Sequence, residues 1–462
     1  MIRQQIARTA LLVTLAYVCA QPLAHGQEEQ SVPLDKRIDP ARITESAPPP
    51  LPNVVAQPVQ AQHRIAQSAE QTSIDEDRFD AAKAAIARGI AWLVEQQAPN
   101  GQWATRAEAE ASDEPGAPTP VSIAITALAV KALAQAGYTG EAFDRGVNAL
   151  LRSTGTGERF GFGEEGRLGT YVSATVCSAL ASIDDPAVLD RRIDAIKWLK
   201  AEQWNSEDGL TPNQDWYGGA GYGNRGRPDL SNTQIMLDAL HDAGVSPEDP
   251  TVQRALLFVS RTQNLASTNQ SSWAQNGSND GGFIYTPANG GESMGSEYAN
   301  EGRWGELIPA GVPRSLRSYG SMTYAGFKSL IYAGLTREDP RVQAAFDWIR
   351  NNWTFQENPG IGQQGKYYYL VAMARALTAA QTAVITTPDG AQHPWRAELI
   401  DALLAAQTPS GAWVNSAPRW LEGDPVLATT YALLALEEAL KPAIGAEAPS
   451  EAPSPKSDRK GQ

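Results

Sequence analysis

Several stretches of this sequence gather side chains of the kind from which a binding or catalytic site is built. "DGLTPNQDWYGGAGYGNRGRPDLSNTQ", at 208–234, holds Asp215, Trp216, Tyr217, Tyr222, Arg225, Arg227 and Asp229 among many glycines. "NDGGFIYTP" adds Asp280 and Tyr285, and "RSYGSMTYAGFKS" adds Arg317, Tyr319 and Tyr324. "GQQGKYYYLVAMARAL" brings Lys366 and the run Tyr367, Tyr368, Tyr369. Aromatic faces of this number can stack on an apolar or ring-bearing ligand, or face a developing cation. A carboxylic acid among them can move a proton. The candidates for that acid are Asp215, Asp229 and Asp280. The candidates for ligand contact are Trp216, Tyr217, Tyr222, Arg227, Tyr285, Tyr319, Tyr324, Lys366 and Tyr367.

Each of these also has a plainer role. Asp229 precedes "LSNTQ" and reads as a helix cap. Asp280 precedes Gly-Gly, where a turn residue belongs. Three consecutive tyrosines on a helix cannot all face one cavity. Metal chemistry is not expected: past the leader the histidines are His63, His241 and His393, in a linker, near a helix end and at a helix start. No cofactor is expected either.

The elements that would carry these residues come from a repeat. "AGVSPEDPTVQRALLFV" at 243–259 and "AGLTREDPRVQAAFDWI" at 333–349 match in register, and "SIDDPAVLDRRIDAIKWL" at 182–199 is a looser copy. Gly244 or Gly334 ends one helix and Asp-Pro opens the next, because Pro fits a first helical turn. Extending the pattern predicts twelve helices of two alternating kinds. One kind is amphipathic, as in "RVQAAFDWIR", with starts near Phe79, Glu141, Asp190, Thr251, Arg341 and Trp395. The other is apolar or small nearly all round, as in "VSIAITALAVKALAQAG", with starts near Val121, Thr170, Ser231, Ser321, Lys366 and Val426. A helix apolar on every side must be buried on every side. Six such helices alternating with six half-buried ones predict an all-α fold, an (α/α)6 toroid of two concentric rings. An open superhelix is the structural alternative. Connections from outer to inner helices are long, especially 204–229 and 264–319, and all emerge on one face.

Length and composition set the limits. Residues 1–26 open with Arg3 and Arg8, continue through "ALLVTLAYVCA" and end at "AHG", the order of a secretory signal peptide. Residues 27–75 are rich in Pro and Gln and read as a disordered linker, as do residues 441–462 at the tail. The folded unit is expected at 76–440, in an exported protein, periplasmic or extracellular, with no transmembrane segment once mature. A net charge of −14 argues against nucleic-acid partners. Beyond the leader only Cys177 remains, so no internal disulfide is expected, and its apolar neighbours mark it as a core residue.

One phrase recurs near both ends of the folded unit. Gln97, Gly101 and Trp103 in "QQAPNGQW" match Gln407, Gly411 and Trp413 in "QTPSGAW". Weaker versions are "EQWNSEDGL" at 202–210 and "SNDGGF" at 278–283. Gln-x-x-x-Gly-x-Trp at the ends of outer helices resembles the QW repeat of squalene–hopene cyclases, and "NDGGF" resembles the related repeat of protein prenyltransferase beta subunits. The resemblance covers most of 76–440 and implies the terpenoid cyclase-like α/α toroid. It does not carry the chemistry across. The Asp-x-Asp-Asp acid of class II cyclases is absent, "SIDD" at 182–185 having Ser182 in first place. The Asp, Cys and His zinc ligands of prenyltransferases and the "GCGEQ" thioester string are absent as well.

The function expected on these grounds is binding of an apolar or aromatic-stacking small molecule, isoprenoid-like or glycan, at the mouth of the ring. The alternatives are a carbohydrate-active lyase or hydrolase, and a noncatalytic binding or scaffold protein.

Overall fold

Asp-Pro steps open helices as their chemistry dictates. The carboxylates of Asp249, Asp339 and Asp424 each accept from the amide two residues on, at 2.9 Å, and the following proline occupies the first helical position. Thr119 and Pro120 do the same work with a reciprocal bond between Thr119 and Ser122. In the computed structural model, residues 44–47, 49, 74–106, 118–155, 157, 168–223, 225–298 and 316–441 are described. The expected signal peptide lies outside these residues.

Twelve long helices follow among the described residues. They are α1 (Glu76–Glu95), α2 (Pro120–Gln135), α3 (Glu141–Ser153), α4 (Gly169–Ala181), α5 (Leu189–Glu202), α6 (Leu230–Asp242), α7 (Pro250–Arg261), α8 (Gly320–Tyr332), α9 (Pro340–Asn351), α10 (Lys366–Ala379), α11 (Trp395–Ala406) and α12 (Pro425–Leu440). The even-numbered helices pack in sequence, α2 on α4, α4 on α6, and so on to α12, which returns to α2. That closes an inner ring. The odd-numbered helices lie outside it, each against its inner partners, and α11 meets α1. The fold is an all-α (α/α)6 toroid. Closure excludes the open superhelix.

Burial explains the two rings. In α12 every residue from Val426 to Ala439 is buried, whereas α5 buries only Ala195 and Leu199. Cys177 is fully buried on α4, and burial pushes its thiol up to about 12. No helix among the described residues is long and apolar enough to cross a membrane.

The recurring phrase is a clamp between successive outer helices. Gln97 follows α1, and its amide donates to its own turn at Gly101 (3.0 Å) and to Ala142 in the first turn of α3 (2.7 Å). Arg145, one turn further along α3, donates back to the Gln97 oxygen. Trp103 is fully buried and bonds through its indole to Leu93. Gln407 repeats this from α11 to Ala85 and Arg88 of α1, with Trp413 bonded to Leu403. The same geometry occurs twice more, with the glycine much later in sequence. Gln203 pairs with Gly218, Thr251 and Arg254, and Gln263 pairs with Gly281 and Arg341. The glycine of "EQWNSEDGL" is therefore not the clamp residue: Gly209 ends a short 3-10 turn, and Gly218 takes the clamp position.

Clamp glycines sit at positive φ directly over a carbonyl of the next helix. At Gly218 an added Cβ would collide with the Arg254 oxygen, and at Gly411 it would lie 2.6 Å from that of Arg88. Only glycine permits both the backbone and the approach.

Candidate functional site

All six inner helices contribute to one lumen, and its wall has three layers. Nearest the helix N-termini lies a belt of Tyr171, Gln234, Tyr368 and Tyr431. The Tyr171 and Tyr431 hydroxyls are 2.7 Å apart, Gln234 donates to the Tyr368 hydroxyl at 2.7 Å, and the rings of Tyr368 and Tyr431 meet edge to face. Burial raises the Tyr368 and Tyr431 hydroxyls well above their ordinary range, so both stay protonated. The Gln234 side-chain oxygen has no partner among the described residues.

Below the belt the wall is apolar: Leu128, Ala174, Ile235, Val371, Ala372 and Leu434. Toward the helix C-termini it becomes charged. Lys131 donates to Ser178 (2.6 Å) and Asp242 (2.7 Å), and Ser178 also bonds Asp242. Arg375 reaches Asp242 at 2.7 Å, and Lys328 reaches Asp238 at 2.7 Å. Burial opposes the ionised form of Asp242, but Arg375 and Lys131 overcome it and hold the carboxyl well below the usual range. Burial, with Arg375 adding repulsion, pulls Lys131 down. Cations suit this end, where the carbonyl ends of the inner helices converge.

The free volume between the walls is about 70 Å³. That admits a handful of waters or a slim chain. A drug-sized ligand needs ~300–1,000 Å³, so it would require the belt to part.

None of the twelve residues singled out from sequence lines this lumen. Tyr222 and Tyr319 come closest, as electrostatic neighbours of Tyr368. Tyr222 meets Tyr285 hydroxyl to hydroxyl at 3.2 Å, and Arg227 pairs with buried Glu292 while lying over the Tyr285 ring. These four form the rim beside α6. Trp216 and Tyr217 pack into a separate cluster with Trp204, Leu210 and Leu257. Tyr324 packs edge to face on Tyr369. Tyr367 turns to the Val414 carbonyl, and Lys366 is half-buried at the start of α10.

The three aspartates are differently placed. Both oxygens of Asp229 are occupied in capping α6, by the Asn232 amide, the Asn232 side chain and Ser231. Asp280 is exposed and holds its turn through Gly282, Ser278 and Ser318. Asp215 is buried at the rim, and burial lifts its carboxyl to about 6 against the bonds from Thr44. Among the described residues no cluster of His, Cys, Asp and Glu could hold a metal ion.

The lumen residues had a signal in the sequence. Lys131, Lys328 and Arg375 are isolated charges among the apolar and small residues of inner helices. A charge there must find partners across a shared interior.

No protein-family profile matches the sequence, and no curated protein matches it. Solved structures of a similar kind include the type II terpene cyclase MstE from Scytonema, at 13% identity over 78% of this chain and 99% of that one, TM-score 0.29. A glycosidase variant in complex with glucose is 14% identical over 80% and 100% of the two chains, TM-score 0.35. A protein from Actinoplanes is 14% identical over 78% and 100%, TM-score 0.33.

Proposed function

We propose that the toroid is a noncatalytic binding protein for a small apolar or aromatic-stacking molecule, received at the tyrosine belt. The observation that carries this reading is the pairing of the lumen carboxylates. Asp242 is held ionised by Arg375 and Lys131, so it is not the neutral acid that a cyclase or hydrolase requires, and Asp238 is bonded to Lys328. Tyrosine faces above an apolar wall offer stacking and burial without chemistry. The Gln-Gly-Trp clamps support relation to the cyclase and prenyltransferase repeats at the level of architecture. Export through the 1–26 leader belongs to the same reading. Mass spectrometry of the protein recovered from its native host would then find a mature N-terminus at Gln27.

The test is calorimetric titration of the full chain with farnesol and, separately, with cellotriose. Farnesol is expected to bind and Tyr368→Ala to weaken it at least tenfold. Binding of cellotriose alone would move the reading to glycans. Turnover of either, lost in Asp238→Asn, would replace binding by catalysis.

A further inference from the structure

The rim carries a second built site, separate from the lumen. Residues 44–47, from the stretch read as a linker, lie along the turn at 211–217. Glu45 and Gln214 form an antiparallel bridge. Ser46 donates its amide to Asn213 at 2.8 Å, and Asp215 donates its amide to Thr44 at 3.0 Å. Such main-chain pairing gives an extended peptide affinity without regard to sequence.

Selectivity comes from the Asp215 carboxylate. One oxygen accepts the Thr44 amide at 3.1 Å and the other accepts the Thr44 hydroxyl at 2.6 Å. Both donors belong to one residue, and only serine or threonine supplies that pair at this spacing. Asp215 is 2% exposed and Thr44 is exposed, so the receptor group is fixed while the residue it reads is accessible. Behind it the fully buried Arg261 bonds the Pro212 carbonyl and holds the turn. Pro49 is buried as well, which gives the segment an apolar anchor.

A buried carboxylate costs free energy unless its bonds are made. Among the described residues the Oδ bonds that come from another part of the chain both come from Thr44. We propose that the edge of the 211–217 turn is a peptide-recognition site for an extended segment bearing threonine or serine with a proline five residues further on, and that residues 44–47 and 49 of the chain are its resident ligand. Because the segment belongs to the same chain, its docking is intramolecular, which raises its effective concentration over that of a free peptide. An outside peptide of the same chemistry must compete with it.

The test uses the full chain and its Thr44→Val and Thr44→Ser variants, whose altered residue is exposed and outside the toroid core. Hydrogen exchange at the Asp215 and Ser46 amides reports docking. A labelled synthetic peptide of residues 41–52 reports the vacated site by fluorescence anisotropy. Thr44→Val is expected to speed exchange at least tenfold and to bind the peptide at least tenfold more tightly than the unaltered chain. Thr44→Ser should match the unaltered chain, and a peptide with valine at the Thr44 position should not bind. Unchanged exchange in Thr44→Val would overturn the proposal. So would a released chain that ignores the peptide, or that takes the valine peptide equally well.

Discussion

The side-chain amide of Gln407 donates to the main-chain carbonyl of Ala85 at 2.9 Å, joining residues 322 positions apart. Gln97 makes the equivalent bond to Ala142 between neighbouring helices. The ring is thus closed by the same bond that links its successive members.

Because the bonds are alike, Gln407→Ala and Gln97→Ala should cost similar stability. Each removes two hydrogen bonds and the acceptor of an arginine, about 1–3 kcal/mol. Urea denaturation of the two variants measures it. A silent Gln407→Ala would mean that closure depends on α12 packing against α2 alone.

The clamp of Gln263 is incomplete. In the other three an arginine lies three residues beyond the accepting carbonyl, at Arg145, Arg254 and Arg88. The corresponding position here is Ala344, and the buried Gln263 oxygen has no partner among the described residues. Ala344→Arg should therefore stabilise the protein, by about 0.5–1.5 kcal/mol, the worth of one buried bond. A lowered melting temperature would show that the guanidinium does not reach.

Two glycines of one loop should respond differently to alanine. Gly218, at φ +86°, lies against the Arg254 carbonyl, while Gly209, at φ +78°, has nothing within 4 Å. Gly209→Ala carries only the left-handed penalty, about 1–2 kcal/mol. Gly218→Ala adds a collision with backbone and should cost about 3 kcal/mol or more. Equal losses in thermal denaturation would contradict the assignment of Gly218 to the clamp.

Docking of the 44–47 segment should respond to pH through Asp215. Burial lifts its carboxyl to about 6, while the bonds from Thr44, and Arg261 behind it, pull it down. Docking supplies the Thr44 bonds, which favour the ionised carboxylate, so the docked form holds that proton less tightly than the released form and docking weakens as pH falls through about 6. Exchange at the Ser46 amide, corrected for intrinsic rate, should be faster at about pH 5 than at about pH 7.5. Asp215→Asn should remove the difference. Stronger protection at the lower pH would reverse the sign and refute the assignment.

Much of this architecture was legible in the residues. Helices apolar on every side had to form an interior ring, and Asp-Pro steps placed starts such as Val342's helix within one residue. The site was less legible, for physical reasons. Within Tyr367, Tyr368 and Tyr369 a rotation of about 100° per residue decides which ring meets the lumen, and composition does not fix that phase. Tyr368 lines it, whereas Tyr369 bonds Thr354. The loop aromatics misled because Trp204 and Trp216 needed one another to bury their own rings. At Gln203 the repeat was read with Gly209, because the clamp glycine, Gly218, lies beyond a further turn of the loop.

Ring closure also sets an order in time. The inward face of α1, with Ala82, Ala85, Ile86, Ile90 and Leu93, is covered by α11 and α12. At ~5–20 residues per second the ribosome delivers those helices roughly 20–70 s after α1. Through that interval the first helix waits with an uncovered apolar stripe. A neighbouring nascent chain carries the same last pair, so crowded translation would favour rings closed between two molecules.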